Sequence, residues 1–168
     1  MPVGHLGVTV PDVDAAVEWY RETFGWELIA GPFDVDTGDA AIAAQLRDVF
    51  EVEEVAFRQA HLAVPPGIAL ELFEFREPPT TASDGFEFDR VGPFHLCVVD
   101  PEIEALVARI EAGGGRRRTA IRPIFPGEPF RFCYCEDPFG LAIEIATHNH
   151  AESFGGRRGY APAAPGQG

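Results

Sequence analysis

The 168-residue chain is 46% hydrophobic and 24% charged, a balance that suits one globular domain, or two small fused modules with a shared core. Its 27 acidic residues against 13 basic ones give a formal net charge of −14, which argues against nucleic acid and anionic membrane surfaces as partners. No run reaches the roughly 20 apolar residues of a spanning helix. The N-terminus lacks the basic and apolar regions of a secretory signal, so the expected location is the cytoplasm.

In chain order, residues 3–10 read as a strand, stopped at Pro11. Val13, Ala16, Val17, Tyr20 and Phe24 then recur at three- and four-residue steps, the pattern of an amphipathic helix. Asp12 or Asp14 is its candidate N-cap and Gly25 its terminator. Residues 26–33 suggest a second strand with a turn. Residues 34–52 carry helical spacing in one stretch and read as a short helix or an inserted lid. Two more strands follow, around the turn at Pro65, Pro66 and Gly67.

The second half replays this order. A strand over 92–100 leads to a helix over 100–114, with Pro101 expected in its first turn. Three strands follow, over 118–124, 130–137 and 141–147, with Asp137, Pro138 and Gly140 turning the chain between the last two. Matching the halves gives an internal repeat, βαβββ in each: 1–76, a linker over 77–90, and 91–148. Residues 149–168, rich in Gly, Pro and Ala, read as a disordered tail.

The repeat carries four side chains at matched places: His5, Glu71, His95 and Glu144. Each His opens an apolar run, and each Glu sits inside another, flanked by Leu70 and Leu72 or by Ile143 and Ile145. A carboxylate between such neighbours is costly if buried alone; on a half-buried strand it faces the opposite side from them. Two imidazoles and two carboxylates suit one divalent ion such as Zn, Ni, Co, Mn or Fe. Two open positions would then remain for vicinal oxygens of a small substrate, with Glu71 or Glu144 as the base.

Other residues carry less. Cys97, Cys133 and Cys135 are odd in number and read as free thiols rather than a disulfide framework, with Cys97 on the strand face of His95. His61 reads as an ordinary strand histidine, with the cavity as the alternative. His148 and His150 read as a solvated strand end. Arg116, Arg117 and Arg118 form the only basic run, either a solvated loop or a contact for a substrate phosphate or carboxylate. Phe73 should share the face of Glu71, and Phe130, Phe132 and Tyr134 alternate along one strand.

The segments HLGVTVPDVDAAVEWYRETFGW, ELFEF, FHLCVVDPEIEALVARIEAGG and YCEDPFGLAIEI together resemble the vicinal oxygen chelate superfamily. That superfamily includes glyoxalase I, methylmalonyl-CoA epimerase, extradiol dioxygenases and bleomycin- and fosfomycin-resistance proteins. The resemblance runs to about residue 148. It implies an α+β fold whose paired βαβββ modules form a curved, cup-like mixed sheet around a metal held by His5, Glu71, His95 and Glu144, and it implies a homodimer.

Departures from individual members narrow the activity. Thr9 stands where glyoxalase I commonly carries an Arg that contacts glutathione. Tyr134, Asp137, Pro138, Gly140 and Glu144 match the extradiol dioxygenase signature, but residues 119–133 lack its His. A second carboxylate at Glu71 favours proton transfer over oxygen activation. The expected function is a metal-dependent epimerase or isomerase, moving a proton next to a carbonyl through a metal-stabilised enediolate. The alternatives are a glyoxalase-type lyase, a small-molecule sequestering or resistance protein, and an extradiol dioxygenase.

Overall fold

In the computed structural model, residues 1–82 and 85–156 are described. The chain divides into two compact units, Met1–Ser83 and Asp84–Gly168, a division that falls inside the expected linker. Among the described residues, no helix is long and apolar enough to cross a membrane.

In the first unit β1 (His5–Thr9), α1 (Val13–Phe24), β2 (Glu27–Asp36), α2 (Ala43–Phe50), β3 (Ala56–Val64) and β4 (Ile68–Glu77) build a four-stranded sheet ordered β1-β4-β3-β2. β1 runs parallel to β4 and the other pairs are antiparallel. A parallel pair needs a crossover: α1 carries the chain from β1 to β2 at the far edge, and β3 and β4 fill the sheet back until β4 lies beside β1.

Helix α1 begins where the sequence indicates. The Asp12 carboxylate accepts from the Ala15 amide at 3.0 Å, and Gly25 ends the helix in the left-handed region at φ 71°, a conformation that costs glycine little. Its buried stripe of Val13, Ala16, Val17 and Tyr20 lies on the same side as Ala60, Leu62, Leu70 and Leu72, all at most 1% exposed except Val17 at 7%. The Val13 amide also donates to Glu74 at 3.0 Å, tying the first turn of α1 to β4.

The other side of this sheet is open towards β1 and covered at one end. There α2 places Leu46 against Val55 and Phe57, with Phe50, Phe73 and Phe75 packed around them. The ambiguous stretch 34–52 thus finishes β2 at Asp36 and then forms the short helix α2, which plugs one end of the open face. Phe73 does share the face of Glu71, and its ring lies 3.4 Å from where a Gly7 side chain would begin.

The second unit repeats the plan with β5 (Leu96–Val99), α3 (Ile103–Ala112), β6 (Arg116–Arg117), β7 (Arg122–Pro123), β8 (Arg131–Glu136) and β9 (Ala142–Ala146). β5 pairs parallel with β9, and β8 pairs with β9, β6 and β7. Ile103, Leu106 and Ile110 of α3 and Cys133, Cys135, Ile143 and Ile145 of the sheet are at most 1% exposed. All three cysteines are free thiols.

Several expectations need correction. Of the strand expected over 118–124 only β7 pairs as a strand, and the other fragment, β6, lies just before that range. Pro101 lies before α3 rather than in its first turn. The start of the linker stays attached to the first sheet, since Thr80 donates from its amide to the Phe75 carbonyl at 2.9 Å. Residues 149–156 are not disordered: α4 (His150–Phe154) opens with a reciprocal capping box between Asn149 and Glu152, which satisfies two otherwise orphaned amides. The remainder of the expected tail lies outside the described residues.

Because Leu72 is fully buried between sheet and helix, Leu72→Ala should cost about 2–5 kcal/mol of stability, read as a lowered urea midpoint with unchanged slope.

Candidate metal and proton-transfer site

Period-two alternation along β4 and β9 decides where the carboxylates point. Leu70 and Leu72 are buried on the helix side, so Glu71 emerges on the open face, its side chain 20% exposed. Ile143 and Ile145 do the same for Glu144, at 21%. Neither carboxylate is sealed in an apolar interior.

Each glutamate is the centre of a three-residue row. In the first unit Gly7 and His61 lie directly across from Glu71 on the two neighbouring strands. In the second unit Cys97 and Tyr134 flank Glu144 in the same way. The histidine of each pair stands two residues before the row on the first strand. His5 Nε2 lies 3.5 Å from Glu71 Oε2, and His95 Nε2 lies 3.0 Å from Glu144 Oε2.

The surroundings of the two pairs differ. Glu71 has a second imidazole beside it, with His61 Nδ1 3.3 Å from Oε1, and His61 stacks on Phe33 at 5.9 Å between centroids. His61 is therefore a member of the open face, a placement that its register opposite Glu71 gives and that strand composition alone leaves undecided. Glu144 instead accepts from the Tyr134 hydroxyl at 3.4 Å, and the Tyr134 ring meets His95 edge-on at 5.3 Å. His5 is the most open of these groups, its side chain 60% exposed, whereas that of His95 is 24% exposed and its Nδ1 is buried without a hydrogen-bond partner.

Donor chemistry fits a divalent ion in part. Two ligands about 2.1 Å from a metal and at right angles to each other are about 3.0 Å apart, close to the His95–Glu144 separation. Among the described residues, however, no group of three or more His, Cys, Asp or Glu side chains could hold a metal ion. Each unit supplies a donor pair, not a complete shell.

Two further regions border the open faces. In the first unit Thr9 lines a cavity of about 400 Å³ with Phe50, Phe75 and Thr80, and no cationic side chain borders it. In the second unit a cavity of about 380 Å³ is bounded by His95, Cys97, Tyr134, Glu144 and the α4 residues Ser153 and Phe154. His148 and His150 also line it, so they are not merely a solvated strand end. Helix α4 is the element that sequence reasoning missed. The signal was Asn149 followed three residues later by Glu152, the spacing of a capping box.

The arginine run divides its tasks. Arg116 and Arg118 both bind Glu136, and Arg118 also lies over the Phe86 ring at 4.3 Å. Cys97 retains solvent exposure, yet desolvation, and secondly the adjacent Glu144 carboxylate, push its thiol up to about 11.

These features define a class: α+β proteins built of paired βαβββ modules with one His–Glu pair on the open face of each. The chain belongs to the glyoxalase/bleomycin resistance protein/dioxygenase superfamily, whose family model matches residues 3–145. A 2-epi-5-epi-valiolone epimerase from an Actinomyces species is 29% identical over 147 residues, 85% of this chain and 77% of the relative. Among solved structures, a glyoxalase family protein from Bacillus cereus superposes with a TM-score of 0.70 at 22% identity, covering 87% of this chain and 93% of that one. A mutant fosfomycin resistance protein from Listeria monocytogenes, complexed with Mn(II) and 1S,2S-dihydroxypropylphosphonic acid, gives 0.54 at 14% identity, over 92% and 95%. These two structural likenesses concern the fold.

A thiol held near 11 is almost wholly protonated at pH 8, whereas an ordinary cysteine ionises near 8.5. Cys97 in metal-free protein should react with iodoacetamide at pH 8 about 100-fold more slowly than a free cysteine. Glu144→Gln removes one of the two causes and should quicken it, as peptide mass mapping of alkylation would show.

Proposed function

We propose that the protein is a metal-dependent epimerase or isomerase that moves a proton at a carbon next to a carbonyl. The observation that carries this reading is the matched pair of rows, each presenting a carboxylate and an imidazole on an open face at the same register. The epimerase relative supports it. The cation-free cavity beside Thr9 favours it over a lyase that must grip glutathione.

His5, Glu71, His95 and Glu144 would together hold one divalent ion, Zn, Ni, Co, Mn or Fe. When bound, such an ion polarises a carbonyl oxygen and makes the neighbouring C–H more acidic. The chain's own groups then do the proton transfer. One glutamate would take the proton from carbon and the other would return one. His61 beside Glu71, and the Tyr134 hydroxyl beside Glu144, stabilise whichever carboxylate is charged and orient it for the transfer. The substrate is a small molecule with vicinal oxygens. The protein works in the cytoplasm, as a homodimer in which a site can draw residues from two chains.

The test begins with 2-epi-5-epi-valiolone, the compound in the relative's name, in heavy water. Deuterium should enter one carbon next to the ketone, with the epimer appearing and no cleavage. A chelator should stop this, and restored divalent ion should revive it. His5→Ala and Glu144→Ala should each lower metal content and reduce kcat/KM at least about 100-fold. Full activity and full metal content in both variants would overturn the assignment.

A further inference from the structure

Two residues that line the second-unit cavity carry polar atoms that the fold leaves unsatisfied. His95 Nδ1 and Ser153 Oγ are both buried without a hydrogen-bond partner, and both residues line the same space of about 380 Å³. Ser153 is 1% exposed. A buried polar group left unpaired costs about 1–3 kcal/mol, so two of them bordering one cavity mark a place where a ligand's polar group belongs.

Their chemistry specifies that group. When His95 Nε2 carries its proton, it donates to Glu144 at 3.0 Å, and Nδ1 is left as an acceptor. When Nδ1 instead carries the proton, it becomes a donor. Only a group that both donates and accepts satisfies Nδ1 in either state. The serine hydroxyl has the same dual character and accepts the same partner. An alcohol meets both requirements, whereas a carboxylate or phosphate only accepts.

Charge points the same way. Among the described residues no Arg or Lys lines this cavity, and Glu144 stands in its wall beside the imidazoles of His95, His148 and His150, so it holds no fixed cation to pair a strongly anionic group. Its size lies at the lower end of the range for small-molecule sites, about 300–1,000 Å³, and suits a single substituted ring. The apolar rings of Phe132, Tyr134 and Phe154 supply walls.

We infer that this cavity binds a neutral, polyhydroxylated ring, and that Ser153 on α4 is a specificity-determining residue that hydrogen-bonds one of its hydroxyls while His95 Nδ1 takes another. The inference deepens the proton-transfer reading by naming the class of substrate, and rests on it for the identity of the reacting end. Binding itself requires neither metal nor turnover.

The probe is myo-inositol, a neutral cyclitol with no ketone to react, added to the metal-free full-length protein. Imidazole nitrogen and carbon signals of His95 should shift saturably. Ser153→Ala should keep its fold, since it removes one atom from a helix that tolerates alanine, and should weaken binding about three- to tenfold. Ser153→Thr, which retains the hydroxyl, should recover part of that loss. If the epimerase reading also holds, Ser153→Ala should raise KM and leave kcat nearly unchanged. Unmoved His95 signals, equal affinity in wild type and Ser153→Ala, or tighter binding of inositol monophosphate than of myo-inositol would each overturn the inference. Because these readouts use metal-free protein, a failed isotope exchange leaves them standing as a separate result.

Discussion

A carboxylate in the middle of an apolar strand must reach something polar, and the two-residue period of the backbone decides what. In β4 and β9 the flanking leucines and isoleucines sink into the helix side. Their burial is worth roughly 1.5–3 kcal/mol per side chain. That apolar energy fixes the strand register, and the register turns Glu71 and Glu144 towards the open face. A one-residue slip would bury both carboxylates and expose the core. The chemistry of the site is thus held in place by residues that take no part in it.

The same constraint accounts for the likeness of the two units. The parallel pairing of first strand with last brings a histidine to within 3.5 Å of its glutamate in one unit and 3.0 Å in the other. The rows then diverge at single positions: Gly7 and His61 flank one glutamate, Cys97 and Tyr134 the other. The first glutamate is gripped by imidazoles. The second has a phenol hydroxyl and a thiol kept protonated. Two related rows with different neighbours suit two carboxylates with different tasks.

Much of this was legible in the chain because the signals were local and strong. Period-two runs around Glu71 and Glu144, the Asp12 cap and the Gly25 stop each state their structure within a few residues. The repeat marked His5, Glu71, His95 and Glu144 as matched positions, and the pairing within each unit is what the structure adds. What escaped depended on long-range register or on weak local composition. His61 gains its meaning only from lying opposite Glu71, a relation that no short window contains. Of residues 118–124 only Arg122–Pro123 pairs as a strand, because Arg, Thr and Pro there give no clear period. Helix α4 was obscured by the Gly- and Pro-rich residues after it, although Asn149 and Glu152 cap it in full view.

That late helix has a consequence for how such a protein changes over time. The sheets carry the histidines and glutamates, while a five-residue segment after the last strand carries the serine and phenylalanine that bound the second cavity. Part of that cavity's wall therefore comes from a stretch of chain separate from the one that carries the histidines and glutamates. Residues 149–154 lie outside every strand pairing, so a substitution there would change the wall of that cavity and leave the rows around Glu71 and Glu144 in register.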